Sequence, residues 1–62
     1  MSKNMLTTKE ATYVADLLAY EECACKKARL YARTVTNKDL SAKLNRIADN
    51  HQRRFNTLLE ML

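Results

Sequence analysis

Thr34-Val35-Thr36-Asn37 is the stretch whose reading decides the fold. Two β-branched threonines, a valine and an asparagine cluster there, and these residue types favour a bend over continued helix. Nothing upstream competes with it. Thr7-Thr8-Lys9-Glu10 has the form of a capping box, in which the Thr7 hydroxyl accepts from the Glu10 amide and the Glu10 carboxylate reaches back. A helix is therefore expected over about 8–34, with the bend at 35–37. Downstream, Thr36 or Asn37 can cap a second helix, and Asp39 in its first turn suits the helix dipole. That helix is expected over about 38–61.

Composition agrees with two long helices and little else. The 62 residues include no Gly, Pro or Trp, so the usual punctuation for tight turns and strands is missing. Ala, Leu, Lys, Arg and Glu, the strong helix formers, are abundant. The expected class is all-α, a single domain made of one long antiparallel helical hairpin. A chain this short rarely builds a sufficient core alone.

Hydrophobic periodicity extends the reading. Val14, Leu17, Glu21, Ala24, Ala28, Tyr31 and Val35 follow a three-four alternation, flanked by a row of Leu18, Cys25 and Ala32. Leu40, Leu44, Ile47, His51, Phe55, Leu58 and Leu62 form the stripe of the second helix. Such seams pack at about +20° in antiparallel bundles. Together they are wider than one partner helix can cover, so a homodimer forming a four-helix bundle is expected.

Each seam is broken by one ionisable residue, Glu21 in the first helix and His51 in the second. If the bend centres near Thr36, antiparallel partners have residue numbers adding to about 72. Val14 then faces Leu58, Leu17 faces Phe55, Ala24 faces Ala48, and Glu21 faces His51. Three readings of that pair stand side by side. It is a buried hydrogen-bonded pair that fixes register, or it is a metal site, since inward Glu and His from facing helices are the ligands of carboxylate-bridged bundles, or the two do not meet.

Here the residues reach a family. Leu6-Thr7-Thr8-Lys9-Glu10, Leu17-Leu18-Ala19-Tyr20-Glu21, Lys26-Lys27, Tyr31-Ala32, Ala48-Asp49-Asn50-His51-Gln52 and Phe55-Asn56-Thr57-Leu58-Leu59 resemble small proteins related to the spore coat protein F family. The resemblance implies a ferritin-like half-bundle that dimerises, a structural role, and other spore coat proteins as partners. Ferritin-like sites take a Glu from one helix and a Glu-x-x-His pair from the next. Glu21 matches the first Glu and His51 the His, but Ala48 stands three residues before His51 where the second carboxylate belongs. A complete di-iron site is therefore not expected, and the metal reading reduces to a weak divalent ion such as zinc held by Glu21 and His51.

Other features narrow the function. Cys23 and Cys25 lie two apart on a helix and point in opposed directions, so they do not chelate one ion. Cys25 and Tyr31 are expected in the core, and Cys23 outside, where it is available for cross-linking. Two cysteines make no disulfide framework, and both are expected to be free thiols. The start Met1-Ser2-Lys3-Asn4-Met5 lacks the apolar run of a secretory leader, and no stretch is long enough to span a membrane. A cytoplasmic or spore coat location is expected. No nucleophile sits beside a base and no phosphate loop is present, so an enzyme is not expected.

Charge is uneven. Lys26, Lys27, Arg29, Arg33, Lys38, Lys43 and Arg46 crowd the bend half against Asp39 alone. Like poles repel, which favours a dimer with its bends at opposite ends. Small basic hairpin dimers can also bind RNA or other nucleic acid on one face. That is the weaker reading, because no exposed aromatic is expected among these cations and Lys/Arg-rich helices are usually only solvated.

Overall fold

A computed structural model describes residues 5–62. The Met1–Asn4 stretch weighed above for a leader lies outside the described residues. Helix α1 spans Thr8–Thr34 and α2 spans Lys38–Leu59, antiparallel in a rod whose Cα extents are 46 × 17 × 11 Å. The described residues contain no strand, and neither helix is long and apolar enough to cross a membrane.

The helix ends follow from their side chains. The Glu10 amide donates to Thr7 Oγ1 and the Thr7 amide to Glu10 Oε1, both at 3.0 Å, which closes the capping box. At the other end Val35 turns extended (φ −73°, ψ 151°) while its amide still bonds to Tyr31 O. Asn37, also extended, caps α2 by accepting from the Leu40 amide at 2.8 Å. A link from Ser41 Oγ to Ala32 O at 2.7 Å ties the two helices just beyond the bend. The second helix ends at Leu59, two residues before the expected boundary. Met61 and Leu62 donate back to Leu58 and Leu59 in tighter turns, a common way for a helix to fray.

The covered seam differs from the one that spacing suggested. On α1 the residues drawn in are Ala11, Val14, Leu18, Glu21, Ala24, Cys25, Ala28, Arg29 and Ala32, with Val35 at the C-cap, so the expected flanking row is covered and only Ala24 of the other row is drawn in beside the shared positions. Leu17 and Tyr31 are instead each 49% exposed. On α2 Ser41, Leu44, Ala48, His51, Phe55 and Leu58 face inward, whereas Leu40 and Ile47 stay exposed. The physical reason is size. A three-residue bend forces the backbones close together, and the row holding Ala28, Ala32, Cys25 and Ala48 admits that approach. Ala48 is fully buried where a tyrosine or leucine would hold the helices apart.

A turn of 100° per residue sorts the remaining positions onto two broad faces. Tyr13, Leu17, Tyr20, Ala24 and Tyr31 of α1 fall on the same broad face as Leu40 and Ile47 of α2. The opposite face carries Glu22, Lys26, Arg29 and Arg33 beside Lys38, Asn45, Asp49, Gln52 and Asn56. Contacts agree with this sorting. Arg29 meets Asn45 Oδ1 at 3.0 Å and Asp49 Oδ1 at 2.6 Å, and Cys25 Sγ lies 3.9 Å from Gln52 Oε1, all on the polar side.

Candidate functional site

Glu21 and His51 do meet. His51 Nδ1 lies 2.5 Å from Glu21 Oε1, one helix-to-helix step across the seam. Glu21 is buried, at 7% exposure, and is the only charged residue so classed among the described residues. Its second oxygen, Oε2, accepts from Arg54 Nε at 3.0 Å. Arg54 follows His51 by three residues, nearly one turn, so both side chains reach the same carboxylate from one helix. The Tyr20 ring stands edge-on to the imidazole, with centroids 6.3 Å apart at 80°.

Proton placement follows from these contacts. The His51 hydrogen bond, then the Arg54 hydrogen bond and charge, hold the Glu21 carboxyl below its ordinary value of 4.5, against the opposing effect of burial. Glu21 is thus a carboxylate at neutral pH and can only accept. His51 Nδ1 must then carry the hydrogen and donate. Arg54 Nη2, 3.0 Å from that same nitrogen, makes a contact there and not a second hydrogen bond. The ring nitrogen these contacts leave is Nε2. No buried side-chain nitrogen or oxygen among the described residues lacks a partner, so the cluster satisfies its polar groups despite its position.

The ferritin-like ligand set does not fit this arrangement. Ala48 is fully buried in the seam at the position where that comparison needs a carboxylate. The described residues bring together no group of three or more His, Cys, Asp and Glu side chains. At Glu21 one oxygen faces an N–H of His51 and the other a guanidinium, so an ion entering here would have to displace Arg54. What the geometry favours is a carboxylate held between two donors, with an imidazole fixed in orientation by it.

Arg54 is the member that spacing alone did not single out. Its signal was available in the His51-x-x-Arg54 interval, which puts a cation on the carboxylate's side of α2. Cys23 is exposed, as its helical position implies, and Cys25 is half-buried at the seam rather than fully in the core; both thiols are free. No family model, curated protein or solved structure matches the chain, so the functional reading rests on the hairpin's own surfaces.

Proposed function

We propose that the chain is a self-associating structural protein, in which two hairpins bury their apolar broad faces against one another as a four-helix bundle. The observation that carries this is the mismatch between the two sides of the hairpin core. Its buried apolar residues are Val14, Ala28, Ala32 and Ala48, three of them alanines. Tyr13, Leu17, Tyr20, Tyr31, Leu40 and Ile47 meanwhile lie exposed on one face. Ordering each residue's backbone costs about 1–2 kcal/mol, and a seam whose buried apolar members are small, with Leu18, Leu44, Phe55 and Leu58 only half-buried, offsets little of that. A second copy supplies the missing burial, because the same face meets itself across a two-fold axis.

The polar cluster suits that role. Glu21, His51 and Arg54 lie on or beside the apolar face near mid-length, so two copies would bring both clusters towards the axis. One satisfied polar group in an apolar interface can fix register and orientation. Basic bend halves repel one another, which favours bends at opposite ends. A coat-type assembly of the spore coat protein F kind, with a ferritin-like half-bundle as its unit, is the biological setting this reading supports.

Sedimentation equilibrium tests the proposal directly. The expected species has twice the 7.2 kDa of one chain. A single-chain mass across the micromolar range would overturn it.

A further inference from the structure

Ion pairing divides the hairpin's charge in a way that composition does not reveal. Four contacts each cancel one acid with one base: Glu21–Arg54, Glu22–Lys26, Arg29–Asp49 and Asp39–Lys43. Among the described residues of the terminal half the charges that remain are Lys9 and Arg53 against Glu10, Asp16 and Glu60, which nearly balance in number. In the bend half the remainder is Lys27, Arg33, Lys38 and Arg46, with no acidic partner among the described residues. Four uncompensated cations are therefore gathered at the bend end of the rod.

These four cations lie within about 15 Å of the bend along the helices, at 1.5 Å per residue. They do not share a plane. Helical position puts Arg33 and Lys38 on the polar broad face, Arg46 on the outer side of α2, and Lys27 on the outer side of α1 towards the apolar face. We propose that this convex basic end binds the phosphate backbone of a nucleic-acid duplex. A groove presents phosphates on two flanks, and cations on several sides of a narrow end can reach both. A membrane surface presents one plane, and would reward a basic face lying beside exposed apolar groups. Here Arg33 and Lys38 lie on the broad face opposite Leu17, Tyr20 and Ile47. The contacts are to phosphate, so the binding carries no sequence preference.

This proposal does not depend on the dimer, because Arg33, Lys38 and Arg46 lie off the apolar face and only Lys27, one heptad on from Tyr20, stands at its edge. The experiment is a titration of a labelled 20-base-pair DNA duplex of arbitrary sequence with the full chain, followed by fluorescence anisotropy at several salt concentrations. If all four cations contact phosphate, the affinity per hairpin falls with a log–log slope of about −3.6, or roughly 10²-fold between 50 and 200 mM salt. The double variant Arg33→Gln, Lys38→Gln should lower that slope by about two. Lys9→Gln, a matched loss of charge in the terminal half, should leave the slope unchanged. Absence of binding at 50 mM salt overturns the proposal, as does equal weakening by Lys9→Gln. Tighter binding to vesicles containing anionic lipid than to the duplex, at equal phosphate, would overturn it in favour of a membrane surface. The mass measurement is read separately, so a single-chain mass with duplex binding would leave this inference standing and remove the bundle.

Discussion

His51 Nδ1 and Glu21 Oε1 lie 2.5 Å apart, joining the two helices at the one position where each apolar stripe is interrupted. Thirty residues of sequence separate them, yet the register of the hairpin places them opposite. The pair links fold to pH. Glu21 has its carboxyl held low by His51 and Arg54, so the folded state binds its proton less readily than the unfolded chain. That contribution to stability is present above the ordinary carboxylate value and is lost as pH falls through the lower folded value. Glu21→Gln is expected to flatten the acid limb of a plot of melting temperature against pH. Parallel acid limbs for the two proteins, followed by far-UV circular dichroism, would show that Glu21 is not coupled to folding.

Leu17 and Ile47 give the sharpest test of the apolar face. They are 49% and 46% exposed in the hairpin and take no part in its buried seam. Leu17→Glu or Ile47→Glu would place a carboxylate in a self-paired interface, where its partner copy brings another. Burying an unpaired charge costs several kcal/mol, so the mass is expected to fall to that of one chain. Helix content should fall with it if the hairpin relies on its partner. A variant that kept the mass of two chains would place the contact elsewhere.

The two helices, the bend and the Glu21–His51 juxtaposition were legible in the sequence, because each rests on local chemistry or on hairpin symmetry. Thr7 and Asn37 announce their caps, and a bend near Thr36 fixes which residues face. The choice between adjacent apolar rows was not legible. Leu17, Ala24 and Tyr31 lie within about 100° of Leu18, Cys25 and Ala32, and both rows are apolar enough to be a seam. Hydrophobicity does not separate them. Size separates them near the bend, where close backbones admit Ala32 and leave Tyr31 outside, but it does not choose between Leu17 and Leu18, and Ala24 of the outer row is itself half-buried. The ion pairing was equally hidden. Arg29 reaches Asp49 across the hairpin, and only that contact shows which cations are left over.

Ala48 tests the size argument. It is fully buried against α1, and Ala28 and Ala32 are nearly so. Ala48→Leu adds apolar area, which the hydrophobic term alone would favour. Close packing opposes it, because the added side chain must push the helices apart or leave its preferred rotamer. Overpacking of this kind costs about 1–3 kcal/mol. The expected result is a lower midpoint in urea. A raised midpoint would mean that the seam holds slack and that the alanines do not set the helix spacing.

Cys23 and Cys25 differ in the same geometric terms. Cys23 is exposed on the outer side of α1, away from both the seam and the apolar face, whereas Cys25 is half-buried with Sγ 3.9 Å from Gln52 Oε1. Thiol labelling with a chromogenic disulfide reagent should show one fast and one slow phase, since access to the thiolate governs the rate. Cys23→Ser should remove the fast phase alone. Because Cys23 points away from the proposed dimer interface, mild oxidation should join one bundle to another, giving species of higher mass than the dimer that a reductant reverses. Oxidation that stops at a single covalent pair of chains would instead put Cys23 near a two-fold axis, and the apolar face would not be where the chains meet.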